Sequence, residues 1–307
     1  MSKSVLSKTN KTHSSILAKK QNLYAYLFIL PAFVFLFTFL FMPLTTAIIK
    51  SFYRYDGMAM NVFVGLKNYQ KLFFDDPKFW NSMVRLLIYL VGMFVCLFVQ
   101  VVTSKLVQSV ANQTLQKFFR AVFIVPMVVP SVVTLLMWKF IYYPDIGVIS
   151  RILESFGVNY PNFLGNPDTV NYALIFVGFP WVAGTSFIIL YSAFQGVDKS
   201  VIESARVSGA TEATIFFKIE LPIIMPQLKV LVVYGIIGLV QQYEKNLIMT
   251  NGGPNNASLL PGLYMYNTAF GSSEPEFGYA CAISVVLFVA TMAASVFAMR
   301  FKEDKDA

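Results

Sequence analysis

Six long apolar blocks run along the chain, at residues 23–49, 86–102, 121–143, 172–194, 221–240 and 279–299, with polar stretches between them. Within each block the apolar residues are continuous, not alternating, which argues against strands with one face in water. A helix rises about 1.5 Å per residue, so about 20 residues cross the roughly 30 Å of hydrocarbon in a bilayer. Each block reaches that length once flanking residues are included. In lipid a helix satisfies its own backbone, whereas an open sheet leaves edges unpaired. The pattern therefore predicts an all-α, polytopic membrane protein with six transmembrane helices over residues 21–307, behind a polar, basic cytosolic tail at 1–20. The first block is too long for the apolar part of a signal peptide, and no small-residue cleavage site follows it. It reads as a retained span, with Pro31 near its entry and Pro43 near its exit.

Charge orients the spans. Six crossings put both termini on one side, and the short cytoplasmic loops of membrane proteins are rich in Lys and Arg. With the tail inside, the cytoplasmic segments carry Lys105, Lys117 and Arg120, then Lys199, Arg206 and Lys218, then Arg300, Lys302 and Lys305. The opposite segments carry Asp145, Glu154, Asp168, Glu274 and Glu276. The first external loop is the exception, since Arg54, Lys67, Lys71, Lys78 and Arg85 outnumber Asp56, Asp75 and Asp76 there. The tail and the other loops outweigh it, giving a multi-pass protein of the cell membrane with both termini cytoplasmic.

Composition adds exclusions. Only 13% of the residues are charged and 56% are hydrophobic, against about a quarter charged in soluble domains. Much of the net charge of +8 sits in the tail beside the first block, without an aromatic-basic recognition motif, so no nucleic-acid partner is expected. Cys96 and Cys281 both lie in apolar blocks and read as packed thiols. The single histidine, His13, leaves no metal cluster and no Ser-His pair, and there is no G-x-x-x-x-G-K-[ST] loop. The expectation is a chain with no catalytic residues, no metal and no cofactor.

The most informative stretch lies between the fourth and fifth blocks, at 198–221. Asp198 is placed to cap a short helix running to about Val207, Gly209 supplies a turn, and Thr211 caps a second helix stopped at Leu221 before Pro222. Apolar Val201, Ile202, Ala205, Ile215, Phe216 and Ile219 alternate with Glu203, Arg206, Glu212, Lys218 and Glu220. Such a segment suits either the headgroup region or a soluble partner's surface; its near-zero charge favours the partner slightly, because interfacial helices are usually basic.

Glu203-Ser-Ala-Arg-Val-Ser-Gly-Ala210, followed by Ile219-Glu-Leu-Pro222 and Pro226, resembles the EAA motif of binding-protein-dependent ABC importer permeases. The family pattern is E-A-A-x-x-D-G-A and, after a spacer, I-x-L-P. Ser204 stands where the family has alanine, and Ser208 where it has aspartate. Phe63-Val-Gly-Leu-Lys-Asn-Tyr69, Asp76-Pro-Lys-Phe-Trp80, the stretch from Arg120 to Trp138 with Pro126 and Pro130, Thr250-Asn-Gly-Gly-Pro254 and Phe277-Gly-Tyr-Ala280 are similar, in order, to the maltose-transporter type of sugar permease.

The resemblance implies a type I importer permease fold that pairs with a second homologous permease subunit in the lipid bilayer. It also implies two cytosolic ATPase subunits, an extracellular solute-binding protein and a carbohydrate cargo, an oligosaccharide or glycoside. Residues 198–221 would then be the coupling helix, with Glu203, Ser204, Ala205, Ser208, Gly209, Ala210, Leu221 and Pro222 at the ATPase contact. An ion-gradient-driven secondary transporter is the alternative; it would show internal repeats and mid-span acidic residues, and the first three blocks do not visibly repeat in the last three. Beyond Val240 the fifth block turns polar, as Gln241-Gln-Tyr-Glu-Lys-Asn246, before apolar residues resume. Read one way, this is a helix end in the headgroups with Glu244 and Lys245 paired. Read the other way, it faces a cavity, with Gln241, Gln242, Glu244 and Asn246 offered to hydroxyls and Tyr243 to a sugar face.

Overall fold

The computed structural model describes residues 26–58, 60–182, 184–271 and 273–300; the tail at 1–20 and the residues after 300 lie outside them. α1 (Tyr26–Lys50) is apolar and unburied over most of its length, with Phe28 87% exposed. Its last turns, from Met42 to Lys50, lie against the final helix, α13 (Phe277–Arg300). A long apolar surface left open in this way is one that a bilayer or another membrane subunit covers.

Between α1 and the next span the all-helical expectation needs correcting. β1 (Tyr53–Tyr55) pairs antiparallel with β2 (Asn61–Phe63), Tyr53 opposite Phe63. The Asp56 carboxylate accepts from the amides of Met58 and Met60 and closes the turn. Three-residue strands are too short for an alternating pattern to stand out in the sequence.

α2 (Pro77–Gln108) is much longer than the block at 86–102. Asp76 caps it by accepting from the Phe79 amide at 3.1 Å, and Pro77 sits in the first turn, where its missing N–H costs nothing. The polar first turns, with Lys78, Asn81 and Arg85, hid that extension from a reading based on hydropathy.

The third and fourth blocks break. α3 (Gln113–Ile124) tightens into a 3₁₀ turn at Val125–Val128, and α4 (Ser131–Ile141) leaves at 98° to it. Pro126 and Pro130 lack the N–H groups that would carry one helix through. α5 (Val148–Ser155) follows. The block at 172–194 is not one helix but two, α6 (Val170–Phe176) and α7 (Thr185–Gln195), parted by a stretch holding Gly178, Pro180 and Gly184. Backbone freed at that break is satisfied by side chains: the Trp181 indole donates to the Ile175 carbonyl at 2.9 Å, and Gln100 of α2 donates to the Trp181 carbonyl at 2.8 Å.

α8 (Lys199–Val207) and α9 (Glu212–Ile223) make the polar segment, and α10 (Met225–Val240) starts after a 68° bend. α11 (Glu244–Thr250) and α12 (Pro261–Phe270) precede α13. Among the described residues three helices, α1, α2 and α13, are long and apolar enough to cross a membrane, and five crossings are reached if the bent pairs α3–α4 and α9–α10 each count as one. The protein is thus a mostly helical, multi-pass membrane protein. α2 packs along α7 and α10, and α13 packs along α10 and α12. Cys96 and Cys281 are both free thiols, half buried.

Asp76 ties three helices together at one end. Besides capping α2, it accepts from the hydroxyls of Tyr264 on α12 and Tyr279 on α13. Burial alone would raise its pKa, but the two tyrosines and the amides of Phe79 and Lys78 hold it below the ordinary 3.8. The carboxylate's contribution is therefore complete above about pH 3.8 and is lost as pH falls through the lowered folded value. Hydrogen bonds to a charged group contribute about 1.5–3 kcal/mol, so Asp76→Ala should clearly lower the thermal unfolding midpoint of the detergent-solubilised protein at neutral pH, and Tyr279→Phe should lower it less. An unchanged midpoint in Asp76→Ala would contradict the role given to this carboxylate.

Candidate functional site

Two places gather the residues singled out by the sequence. The first is the polar segment. The Asp198 carboxylate accepts from the Ser200 amide at 2.9 Å, and this bond keeps its pKa below the ordinary value. Thr211 Oγ1 accepts from the Thr214 amide at 3.3 Å and starts α9. The turn between the helices has Gly209 at φ +82°, and a Cβ built there meets nothing within 4 Å. Space does not demand glycine at this position; the left-handed backbone does. Across the turn Arg206 forks onto Glu212, Nε to Oε1 at 2.8 Å and Nη2 to Oε2 at 3.2 Å. Hydrogen bonding to Glu212 raises the Arg206 pKa, but both side chains are exposed, so the pair adds little stability.

The outcome is one projecting corner. Glu203, Ser204, Ser208 and Gly209 are exposed on it, Ala205 and Ala210 are half buried, and Val207 is 90% exposed. Leu221 and Pro222 are not part of the corner. Leu221 packs at the other end of α9 against the core of Val101, Leu190, Phe194 and Ile224. α9 also does not stop at Leu221 as expected, but runs on to Ile223. A wider, π-helical turn at Phe216–Glu220 resets the hydrogen bonding, so Pro222 falls in the first turn of a new α stretch, where no N–H is required of it.

The second place is the polar run after α10. The helix ends at Val240, residues 241–243 are irregular, and α11 resumes at Glu244. Against this break lies Gly262 of α12, where a Cβ would stand 2.9 Å from the carbonyl oxygens of both Val240 and Gln242. Only a residue without a side chain lets α12 approach so closely. The break lines a cavity of about 430 Å³, whose wall is formed by Gln241, Gln242, Tyr243, Glu244 and Lys245 together with Ser131, Thr134 and Leu135 of α4. The bend at Pro130 brings the α4 residues there, and Ser131 Oγ donates to Glu244 Oε1 at 2.9 Å. Tyr243 stacks on Tyr266, ring centroids 4.9 Å apart.

Asn246 is placed differently. It is fully buried and lies outside the cavity wall. It donates to the Tyr89 hydroxyl at 3.1 Å and the Ser258 carbonyl at 2.7 Å, and accepts from Gln242 at 2.9 Å. Asn246 thus holds the break in shape from behind, with its hydrogen bonds already made. Glu244 and Lys245 do not pair; the ion pairs among the described residues are Lys71–Glu276, Lys105–Glu220 and Arg206–Glu212. The Lys245 ammonium instead lies 5.7 Å from the Tyr89 ring centroid. Ser131, Thr134 and Lys245 were missed by the sequence reading, although the two prolines before Ser131 signalled a break that would aim α4 somewhere new.

A second cavity of about 450 Å³, lined by Tyr142, Ile149, Phe163, Thr169, Tyr172, Ala173 and Phe176, is almost wholly apolar and offers few groups to a hydroxylated ligand. The polar cavity at the break has the mixed lining, amides, a hydroxyl pair and an aromatic face, that orients a polar solute.

Comparison with known proteins agrees with this architecture. Residues 101–303 match the family of binding-protein-dependent transport system inner membrane components. The chain is 31% identical over 281 residues to the probable ABC transporter permease protein YurN of Bacillus subtilis (strain 168), covering 90% of this chain and 94% of that one. It is 26% identical over 275 residues to AmyD of Thermoanaerobacterium thermosulfurigenes, a probable permease for starch degradation products, covering 89% and 92%. Among solved structures, a chain of a bacterial alginate ABC transporter, crystallised with its alginate pentasaccharide-bound periplasmic protein, superposes with a TM-score of 0.78 at 19% identity, over 91% of this chain and 93% of that one. With a family match over most of its length, a relative of this similarity and the same fold, the chain belongs to the inner membrane components of binding-protein-dependent transport systems.

Proposed function

We propose that this chain is one of two permease subunits of an ATP-driven ABC importer, and that it takes a carbohydrate, of oligosaccharide size, from an extracellular binding protein. The observation that carries the reading is the break after α10, a polar, aromatic-bearing interruption of an apolar helix that lines a cavity. Hydrocarbon would penalise such backbone heavily unless protein or water surrounds it, and the cavity beside this break supports a watery or solute-filled path there. Family membership supports the importer class, and the carbohydrate is supported by the starch-product and alginate transporters among the similar proteins.

In this reading the blocks make six crossings, α6 and α7 supplying one as two half-helices, with both termini cytoplasmic. The corner from Glu203 to Ala210 docks on one of two cytosolic ATPases, which supply all the hydrolysis. Leu221 and Pro222 seat the segment on the spans. ATP-driven closure moves the corner, and the spans switch the cavity between the two sides as a rigid-body, alternating-access change. Gln241 and Gln242 offer amide groups to sugar hydroxyls, Tyr243 offers a ring face, and Glu244, held by Ser131, offers its second oxygen; Asn246 acts through Gln242.

The corner is tested at Gly209. A side chain in the left-handed region costs about 1–2 kcal/mol, less for Asn than for other residues. Gly209→Leu should insert normally yet lose about tenfold or more of the uptake rate, and Gly209→Asn should keep more of it; equal, wild-type uptake in both would remove the corner from the coupling path.

For the cavity, a lost polar contact costs roughly 1–3 kcal/mol. Gln241→Ala and Tyr243→Ala should raise the half-saturating sugar concentration several-fold or change selectivity, with ATPase assembly intact. Gln242→Ala is a less clean probe, because it also strips Asn246 of a donor. Unchanged affinity, rate and selectivity in both clean variants would place the sugar elsewhere.

A further inference from the structure

Glu220 is the one carboxylate of the polar segment that the fold encloses, with a side chain 1% exposed. One of its oxygens, Oε1, accepts from the Lys105 ammonium at the cytoplasmic end of α2. The other, Oε2, is buried without a hydrogen-bond partner. Lys105 itself is 3.3 Å from Gln108 Oε1 and 5.8 Å from the centroid of the Phe194 ring on α7. The other two ion pairs among the described residues are exposed on both partners, so this one differs in kind.

Its position is equally particular. Glu220 ends the wide turn at Phe216–Glu220 and lies just before the bend at Ile224, between the exposed corner and α10. Around it the segment meets the spans through apolar groups: Phe216, Leu221 and Ile224 against Val101, Leu190 and Phe194. Apolar contact is non-directional and tolerates sliding. A buried ion pair fixes a geometry, and removing one partner strands the other charge in a low-dielectric site. With Oε2 unpartnered, Lys105 is the one hydrogen-bonded cation that holds the Glu220 carboxylate among the described residues.

We infer that Lys105 and Glu220 form a positioning pair that makes the polar segment and α2 move as one body. A displacement of the Glu203–Ala210 corner by an ATPase is then passed into α2 along a directed link, and not only through the apolar packing on α7 and α10. The inference rests on the importer reading above and names the element that receives the motion.

The test uses the complete transporter in proteoliposomes with its binding protein, and radiolabelled maltotriose and an alginate oligosaccharide as cargo. Lys105→Met, Glu220→Gln and the exchange Lys105→Glu with Glu220→Lys are compared by ATPase co-purification and by sugar imported per ATP hydrolysed. A second readout is the distance between spin labels at Leu106→Cys on α2 and Val201→Cys on α8, with Cys96 and Cys281 replaced by serine. Both single variants should keep the ATPases and hydrolyse ATP, import about tenfold less sugar per ATP, as suits a coupling between sites, and broaden the spin-label distance distribution. The exchange should recover much of both. Wild-type sugar per ATP or an unbroadened distance in either single variant, loss of ATPase assembly, or an exchange no better than the single variants overturns the pair's role. If the wild type imports neither sugar, the importer reading is what fails on that cargo, and the spin-label distances decide the pair by themselves: broadening in both single variants, reversed by the exchange, sustains it, and any other pattern overturns it.

Discussion

Every backbone break inside a membrane leaves peptide groups that hydrocarbon will not hydrogen-bond, and the arrangement of this protein follows from where it tolerates such breaks. At residues 177–184 the freed groups are taken up by Trp181 and by Gln100 from α2. At Pro130 the chain turns by 98° and directs Ser131 toward Glu244. After Val240 the break is braced from one side by the close approach of Gly262 and from behind by Asn246, which reaches Tyr89, Ser258 and Gln242 at once. The face left open carries Gln241, Tyr243 and Glu244. On the proposed reading this bracing behind and polarity in front serves a solute pathway, because irregular backbone survives at membrane depth only where protein or water surrounds it.

The end that carries the polar segment is built on the opposite rule. The corner from Glu203 to Ala210 is capped but uncovered: both helices are capped by their own side chains, the turn is set by one left-handed glycine, and Val207 stands almost fully exposed. On the reading proposed above, an ATPase surface covers this corner and its exposed valine. Behind the corner the segment becomes progressively apolar and ends in the core around Ile224. On the proposed reading a knob with a buried root carries the ATPase's push, and the enclosed Glu220 lies at that root.

Much of this was legible in the sequence because the strongest signals were physical and local. Long apolar blocks located α1, α2, α10 and α13; Asp198, Gly209 and Thr211 gave the caps and turn where the structure has them. The polar run after Val240 was visible as an anomaly in an apolar block. Hydropathy misled where helix and hydrocarbon do not coincide: α2 continues past its apolar stretch on polar turns, and the apolar stretch at 172–194 is interrupted because Pro180 cannot extend a helix, however greasy its neighbours. Asn246 and Gln242 looked equivalent in the chain, yet Gln242 lies in the irregular turn that lines the cavity and Asn246 on the following helix, α11, buried behind it. Such sidedness, like the meeting of Lys105 with Glu220 across 115 residues, depends on tertiary packing that no local pattern encodes.

As proposed, the chain forms a solute path driven by ATPases bound at the Glu203–Ala210 corner. The direct measurement is sugar uptake into proteoliposomes that hold the purified chain with its second permease subunit, the two ATPases and the binding protein. Uptake should require ATP inside the vesicle and the binding protein outside, and should be indifferent to ionophores. Uptake without ATP that collapses when the ion gradient is dissipated would contradict it.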